Sequence, residues 1–331
     1  MATTVGLVVN PAAGRDIRRL TGGASVSNNY AKRRTAGCVL AGLGVCDDID
    51  VRIMPDNAGL ASRIVEDAPD GLDIEPLEMP VSASNRDSRN AAARFNDIAD
   101  AVVVLGGDGT TRDVAQTIGD VPVVSISTGT NNVVPTPVDG TVAGAAAAFV
   151  ATGVVPADEA TMTHGTVVAE VDDNHGEDTI RGLATVGVLA DPFIGTRAIL
   201  DPSHILGGVV SRASPTEIGI SGIAGALVSL RPDEPGGVGF RLSREGTTET
   251  VARAITVPGV LSRIDVADYR VLEAAEPYTF EVERGVVSVD GEREREVTEG
   301  HISLRPESVG PRLVEIDTVV ERAAREGHFV E

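Results

Sequence analysis

The sequence predicts an α/β fold in which an N-terminal doubly wound parallel-sheet domain precedes a β-rich C-terminal domain. Three observations predict it. Short apolar strands alternate with helical segments up to residue 155, a buried strand leads through a glycine turn into a helix at residues 101–118, and β-like runs dominate after Pro156. Alternating strands and helices are typical of a parallel sheet with helices on both faces. A chain of 331 residues is long enough for two domains.

The predicted N-terminal domain covers residues 1–155. Each predicted strand in it is a short apolar run, and each predicted helix carries apolar residues at helical spacing. Ser84 is the expected N-cap of the third helix, and Gly44 ends the first. The predicted strands are 5–9, 50–54, 74–79, 101–105 and 122–126, and the predicted helices are 31–43, 60–65, 84–98, 110–118 and 139–151.

The predicted β-rich domain covers residues 156–310. It is followed at 311–331 by a closing helix, which we expect to pack back on the first domain through its apolar face. The predicted strands are 161–171, 180–189, 237–242, 251–257, 278–283 and 286–289, with helices at 193–200 and 218–230.

Residues 106–110, Gly-Gly-Asp-Gly-Thr, join the apolar strand 101–105 to a helix. We expect the glycines to adopt positive φ and to approach a ligand closely, while the N–H groups of the turn hold phosphate. Thr110 and Thr111 are the expected N-caps of the helix. The segment is therefore a candidate phosphate site.

Asp108 is unusual in such a turn, because bound phosphate repels a carboxylate. Its presence predicts a chemical role, either as a proton acceptor or as a ligand of a divalent metal that bridges carboxylate and phosphate. The alternative is a tight loop in which Asp108 is an ordinary turn residue. The position after a strand and before a helix favours the chemical role.

Two further small, polar turns follow predicted strands. Residues 10–14 (Asn-Pro-Ala-Ala-Gly) follow the first strand, and residues 127–132 (Ser-Thr-Gly-Thr-Asn-Asn) follow strand 122–126. The second comes one βαβ unit after the glycine turn, so we expect both at one crevice beyond the carboxyl ends of the strands. The first is either part of a nucleotide site or a plain strand-to-loop turn.

The charge balance excludes some partners. The chain has 49 acidic and 28 basic residues, a net charge of −21, and only one of the basic residues is a lysine. Such a surface repels nucleic acid and anionic membranes, so we expect neither as a partner. Abundant acid with almost no lysine indicates a salt-loving, haloarchaeal source, because salt screens the self-repulsion. An acidic mesophilic protein from a GC-rich genome would explain the arginine preference but not this charge.

No apolar run approaches ~18 residues, and no basic segment followed by an apolar one opens the sequence. We therefore expect a soluble, cytoplasmic protein. Cys38 and Cys46 are expected to be free thiols. The five histidines are scattered without the spacing of a zinc site.

Three features together resemble the NAD kinase and diacylglycerol kinase superfamily. They are the turn at 10–14, the glycine turn at 106–110, and residues 289–292 (Val-Asp-Gly-Glu) in a late β region. Residues 129–133 (Gly-Thr-Asn-Asn-Val) and 140–144 (Gly-Thr-Val-Ala-Gly) are similar to the ATP-NAD kinase family, in the branch that includes relatives of acetoin catabolism protein X.

The resemblance implies an NAD kinase-like fold and phosphoryl transfer from ATP, or polyphosphate, to the adenosine 2′-hydroxyl of NAD, with Mg²⁺. It implies Asp108 as the catalytic base or as the group that orients that hydroxyl, and a homo-oligomer, either dimer or tetramer. It does not identify the residues that hold the metal. The residues implied in nucleotide binding are Asn10, Gly106, Gly107, Gly109, Thr110, Thr111, Gly129, Thr130, Asn131, Asn132, Ser214, Thr216, Asp290 and Glu292.

Some of these positions have alternatives. Asp290 and Glu292 are equally compatible with a plain hairpin turn. Ser214 to Thr216 correspond to a Thr-Pro-Thr segment of NAD kinases, but residues 217–219 (Glu-Ile-Gly) depart from the Gly-Ser-Thr that follows there.

NAD kinases also carry an Asn-Glu pair early in the second domain, and this sequence contains no Asn-Glu dipeptide. That difference favours two alternatives, a kinase with another small-molecule acceptor or a non-catalytic nucleotide-binding relative. A lipid kinase is a further alternative. Against it, residues 111–114 (Thr-Arg-Asp-Val) lack the Asn-Gly of lipid kinases, and no basic or aromatic stretch suits a membrane surface.

Overall fold

The computed structural model describes residues 3–12, 28–129, 132–190, 202–244, 248 and 250–330. They divide into two compact units: unit 1 contains the described residues among 3–162 together with 311–330, and unit 2 contains those among 163–310. The predicted fold class is confirmed, since unit 1 is built on a parallel sheet and unit 2 on an antiparallel one.

The described elements have the following bounds. The helices are α1 (Asn29–Leu43), α2 (Leu60–Glu66), α3 (Arg86–Ile98), α4 (Asp108–Ala115), α5 (Gly140–Ala151), α6 (Ala157–Ala160), α7 (Ile220–Gly225) and α8 (Ile316–Arg325). The strands are β1 (Thr3–Val9), β2 (Ile49–Ile53), β3 (Asp73–Pro76), β4 (Ala101–Gly106), β5 (Val123–Ser127), β6 (Thr161–Thr163), β7 (Thr166–Asp173), β8 (Gly176–Gly182), β9 (Thr185–Leu189), β10 (Ile205–Val210), β11 (Gly237–Leu242), β12 (Thr250–Val257), β13 (Val260–Leu272), β14 (Tyr278–Val289), β15 (Glu292–Glu307) and β16 (Arg312–Val314).

The sheet of unit 1 has the strand order β3-β2-β1-β4-β5-β16-β6. Strands β2 and β3 lie on one side of β1, and the later strands β4 and β5 lie on its other side. The order therefore reverses between β1 and β4. In open α/β sheets, ligands bind beyond the carboxyl ends of the strands at such a switch point.

Helices cover both faces of this sheet. Val5 and Leu7 of β1 lie in one core cluster with Val39 of α1 and Phe149 of α5. Gly6 points to the opposite face, where a Cβ atom would lie 2.8 Å from Cδ1 of Phe95 in α3. Alternate residues of a strand face opposite sides of a sheet, so α1 and α5 lie on one side and α3 on the other.

Two glycines allow α1 and α5 to cross at backbone contact. A Cβ on Gly42 would lie 2.1 Å from the carbonyl oxygen of Thr141, and a Cβ on Gly144 would lie 2.1 Å from that of Val39. Each helix therefore has a glycine at the point where the other helix crosses it, and the two backbones come into contact there.

Strands β10, β13 and β15 and the short helix α6 were not predicted, and further elements differ from the prediction or lie outside the described residues. The short strand β16 was not predicted, and its Leu313 pairs with Val123 in the sheet of unit 1. The predicted helix 218–230 is reduced to α7, because the chain turns after Gly225 and Leu230 pairs with Ala213. The predicted helix 193–200 lies outside the described residues.

In the described residues of unit 2, nine strands form one sheet with the order β12-β13-β11-β10-β9-β14-β15-β7-β8. Its described strand pairs are antiparallel. Asp290 and Gly291 connect β14 to β15 with φ values of 47° and 82°. Positive φ at both central residues is typical of a tight hairpin turn, which an Asp-Gly pair favours.

His164 is fully buried in unit 2. Its Nδ1 lies 2.6 Å from the carbonyl oxygen of Gly165, and its Nε2 is buried with no hydrogen-bond partner in the described structure. Burial, with a smaller contribution from the positive charge of Arg212, lowers the pKa of His164 to about 4. The imidazole is therefore neutral in the folded protein.

We expect His164 to make the protein acid-sensitive. Below pH 6.5 the imidazole of His164 is protonated in the unfolded chain, whereas in the native state it stays neutral until the pH approaches its pKa of about 4. The free energy of unfolding therefore falls as the pH falls across this range. Between pH 7.5 and 5 the expected contribution is about 2 kcal/mol. Denaturant unfolding at both pH values measures it. His164→Asn should lose less stability between them than wild type, and the exposed control His175→Asn should match wild type; equal losses in all three would contradict the expectation.

Candidate functional site

Three chain turns meet at one edge of the parallel sheet of unit 1. Strands β1, β4 and β5 are parallel neighbours. They end at Val9, Gly106 and Ser127, so the turns that follow all leave the sheet at its carboxyl edge. This edge contains the switch point between β1 and β4. The predicted meeting of the turns after β4 and β5 is thus observed, and the turn after β1, for which two interpretations were open, lies with them in the candidate site.

The glycine turn is tighter than predicted. Helix α4 begins at Asp108, with Gly107 as N-cap. Thr110 and Thr111 therefore lie inside the first turn of the helix, and their prediction as N-caps is wrong. Gly106, Gly107 and Gly109 do not adopt positive φ.

Gly106 is required for a different reason. A Cβ on Gly106 would lie 2.6 Å from Cβ of Thr110, so the helix folds directly over this glycine. The absence of a side chain at 106 lets the first turn of α4 sit on the end of β4. Only glycine fits at position 106 unless the helix moves.

The start of α4 is the candidate anion site. The first N–H groups of an α-helix have no partner within the helix, and its dipole makes that end positive. Thr111 fixes the helix start through two hydroxyl hydrogen bonds, one donated to the carbonyl oxygen of Gly107 (3.2 Å) and one shared with the hydroxyl of Ser125 in β5 (2.7 Å). Phosphate binds readily at such helix ends.

Asp108 is buried, with 8 % of its surface exposed. Its Oδ1 accepts hydrogen bonds from the backbone N–H groups of Val133 (3.0 Å) and Val134 (2.9 Å), and its Oδ2 accepts from Val133 (3.0 Å). The carboxylate thus ties the glycine turn to the chain that follows β5. Val133 and Val134 act through backbone atoms, so their side-chain types do not indicate this role.

Asn10 bridges the switch point. Its side-chain nitrogen donates to Oγ1 of Thr110 (3.3 Å), and its side-chain oxygen accepts from the N–H of Ala12 (2.8 Å). The turn after β1 is therefore connected to the glycine turn after β4. Residues 13 and 14 of this turn lie outside the described residues.

The turn after β5 folds back on itself. The hydroxyl of Ser127 donates to the carbonyl oxygen of Gly129 (2.7 Å), and the side-chain nitrogen of Asn132 donates to that hydroxyl (2.7 Å). The N–H of Thr128 donates to the carbonyl oxygen of Gly106 (3.0 Å), which joins this turn to the glycine turn. Thr130 and Asn131 lie outside the described residues.

The remaining predicted site residues lie in unit 2. Asp290 accepts hydrogen bonds from the N–H groups of Leu183 (2.7 Å), Ala184 (2.8 Å) and Thr185 (2.9 Å). Its carboxylate therefore shapes the segment 183–185. The partly exposed Glu292 follows the hairpin turn at the start of β15.

Ser214 and Thr216 share a hydroxyl hydrogen bond of 2.8 Å in the turn before α7. Glu217, the next residue, pairs with Arg212 through Nε at 2.7 Å. The hydroxyl of Ser211 donates to the carbonyl oxygen of Leu183 (3.2 Å). The segment 183–185 thus lies beside both the start of this turn and the Asp290 hairpin.

The donor set at α4 fits a nucleotide-bound Mg²⁺. Magnesium in phosphoryl-transfer sites takes one or two carboxylates, and substrate phosphates and water supply the rest. Asp108 is a carboxylate at a helix start that suits phosphate. Within the described ranges, no group of three or more His, Cys, Asp or Glu side chains is placed to hold a metal ion. No helix in these ranges is long and apolar enough to cross a membrane.

Comparison with known proteins agrees with this arrangement. Residues 5–155 match the ATP-NAD kinase N-terminal domain, and residues 168–307 match the acetoin catabolism protein X C-terminal domain. Acetoin catabolism protein X of Cupriavidus necator is 34 % identical over 304 residues, which cover 89 % of this chain and 84 % of that protein. The resemblance inferred from the sequence is confirmed.

Yeast NADH kinase shows the same fold at low sequence identity. Yeast NADH kinase, in complex with NADH, aligns with a TM-score of 0.55 and 13 % identity, over 100 % of this chain and 89 % of the yeast chain. A diacylglycerol kinase of Bacillus anthracis str. Sterne aligns with a TM-score of 0.40 and 13 % identity, over 94 % and 96 % of the two chains. With its ATP-NAD kinase N-terminal domain and its matching C-terminal domain, the chain belongs to the acetoin catabolism protein X family.

Proposed function

We propose that the protein is an NAD kinase, which transfers the terminal phosphoryl group of ATP to the adenosine 2′-hydroxyl of NAD and forms NADP. The observation that carries the proposal is the buried Asp108 at the start of α4, where the turns after β1, β4 and β5 converge. The kinase-like fold supports phosphoryl transfer, and the complex of yeast NADH kinase with NADH supports a nicotinamide dinucleotide as the acceptor.

Phosphoryl transfer needs positioning and neutralisation of charge more than covalent help from the protein. The N–H groups at Gly107, Gly109 and Thr110 hold the donor phosphates at the helix end. When bound, Mg²⁺ neutralises phosphate charge. Asp108 is fixed by backbone N–H groups, so its carboxylate is held ready to orient the acceptor hydroxyl or to accept its proton.

The other predicted site residues have supporting roles in this proposal. Asn10 and Thr111 fix the turns at the switch point, and Gly129 and Asn132 shape the turn after β5. Thr130 and Asn131 are proposed to contact the nucleotide from that turn. In unit 2, Ser214, Thr216, Asp290 and Glu292 are proposed to help bind the dinucleotide, Asp290 by shaping the segment 183–185.

One observation favours a second candidate. The chain contains no Asn-Glu dipeptide, although NAD kinases carry one early in the second domain. Either other groups bind the ribose, or the acceptor is a different small-molecule alcohol, or the protein binds nucleotide without turnover. The cytoplasmic location and the homo-oligomeric state stay predictions.

The test is direct formation of NADP. Purified protein is incubated in multimolar KCl, because the charge of −21 predicts that high salt supports the fold. ATP or polyphosphate is the donor, with Mg²⁺, and NAD, NADH or a short-chain diacylglycerol is the acceptor. We expect ATP-dependent NADP, read with an NADP-specific dehydrogenase. Phosphorylation of the diacylglycerol alone, or nucleotide binding without product, would overturn the proposal in favour of the lipid kinase or the non-catalytic alternative.

A further inference from the structure

Lys32 is the only lysine among the 28 basic residues of the chain, and its side chain is completely buried. Lysine is normally a surface residue, and this protein uses arginine elsewhere. An isolated ammonium is costly to bury unless its hydrogen bonds are satisfied. The complete burial of Lys32 therefore requires a structural explanation.

The ammonium of Lys32 holds the turn that follows β1. Its Nζ reaches from α1 and donates hydrogen bonds to the carbonyl oxygens of Asn10 (2.9 Å) and Pro11 (3.1 Å). Charged donors make stronger hydrogen bonds than neutral ones. The direction of those two carbonyl groups, and of the backbone that carries the Asn10 side chain, is thus fixed by Lys32.

From Asn10 the connection continues into the glycine turn. The side-chain nitrogen of Asn10 donates to Oγ1 of Thr110, at 3.3 Å, and Thr110 lies in the first turn of α4 beside Asp108. Lys32 is therefore joined through one residue to the candidate phosphate site.

Arginine would not substitute well at this position. Lysine presents a compact charge at the end of a flexible chain, whereas the guanidinium is a larger, planar group with five donors. The fully buried side chain leaves no exposed space for the larger group, and the Nζ already meets two carbonyl oxygens at hydrogen-bond distance. This explains why position 32 is a lysine although the other basic residues of the chain are arginines.

We propose that Lys32 is a positioning residue for the donor phosphates: it fixes the Asn10–Pro11 turn and holds Asn10 against Thr110 at the helix start. The proposal rests on the proposed function, since it requires a phosphate ligand at α4. It assigns Lys32 to the binding of the donor rather than to the chemical step.

A single lysine makes the first test possible on the wild-type protein. With lysine labelled at the side-chain nitrogen by ¹⁵N, the Nζ group gives one NMR signal. Inorganic tripolyphosphate is titrated in as the probe, followed separately by Mg-ATP. We expect both to shift this signal at the concentrations at which they bind. A signal that stays in place while binding is measured by calorimetry would overturn the proposal.

The second test uses variants. We expect Lys32→Met to weaken binding of Mg-ATP and tripolyphosphate by at least ~10-fold, as for the loss of a charged hydrogen bond, while kcat at saturating ATP falls much less. Lys32→Arg should not restore binding. The control Arg34→Met removes a positive charge from an exposed position of α1 and should bind as wild type. Calorimetry does not require turnover, so these variants remain informative if NAD is not the acceptor.

The outcomes separate the two proposals. Wild-type protein that binds neither probe would contradict the proposed function and this proposal together. Wild-type binding with unchanged affinity in Lys32→Met would overturn the role of Lys32 alone and leave the proposed function standing. If Lys32→Met does not fold, the NMR titration of the wild-type protein tests the role of Lys32 by itself. An Nζ signal that stays in place while a probe binds would overturn that role.

Discussion

Asp108→Asn is expected to lower the rate of NADP formation by at least ~100-fold, the range seen when a general base or an orienting acceptor is lost. Asparagine keeps one side-chain oxygen, which can still accept from the N–H groups of Val133 and Val134. The turn should therefore keep its shape while the second carboxylate oxygen and the negative charge are lost. Steady-state kinetics with NAD and ATP measure the change.

The matched control is Asp120→Asn, which removes the same charge from an exposed position of unit 1. It should retain the wild-type rate. Unfolding curves of both variants should overlay that of wild type, so that lost activity is not lost structure. A rate for Asp108→Asn within about threefold of wild type, with the fold intact, would remove Asp108 from the chemistry and leave it as a structural link between two turns.

The second large effect concerns stability. Gly144→Ala is expected to destabilise the protein by about 3 kcal/mol, at the upper end of overpacking costs. The new Cβ would lie 2.1 Å from the carbonyl oxygen of Val39, a backbone atom of α1 that cannot rotate away. The two helices would have to separate, and the core residues Val39 and Phe149 would lose contacts. Denaturant unfolding followed by circular dichroism gives the change in free energy.

Gly37→Ala is the control, because it makes the same change in α1 where nothing lies within 4 Å of the new Cβ. Alanine is the better helix former, so this variant should be more stable than wild type by about 0.5–1 kcal/mol. Opposite signs for the two variants would show that the contact, and not helix propensity, sets the cost at Gly144. Destabilisation of both by similar amounts would contradict this explanation.

The strand, turn and helix around Asp108 were predictable from the sequence because local signals agreed. An apolar β-branched run predicted β4 at 101–105, and the structure has Ala101–Gly106. The glycines marked the turn, and the periodicity after it marked α4. The convergence of the turns after β4 and β5 also followed from the βαβ order, since parallel neighbours end at the same edge.

The features that could not be predicted from the sequence depend on contacts between distant segments of the chain. The helix start at Asp108 was missed because threonines are good N-caps in isolation, whereas here Thr110 packs on Gly106. Strand β16 is only three residues long and pairs at Leu313 with a strand far earlier in the chain. The N–H groups that hold Asp108 carry no sequence signature. Lys32 did carry one, as the single lysine, but its partners are backbone oxygens.

The division of unit 1 along the chain has a consequence for its biosynthesis. Strand β16 and helix α8 belong to unit 1, yet the ribosome makes them after all of residues 163–310. Until they emerge, β5 lacks its partner β16, and Phe149 lacks the aromatic neighbour Phe329, whose ring centre lies 5.3 Å away. The described residues of unit 2 all lie between 163 and 310, so they are made before β16 and α8. While residues 163–310 are being made, the nascent chain therefore carries an unfinished sheet edge at β5 and an uncovered apolar face on α5.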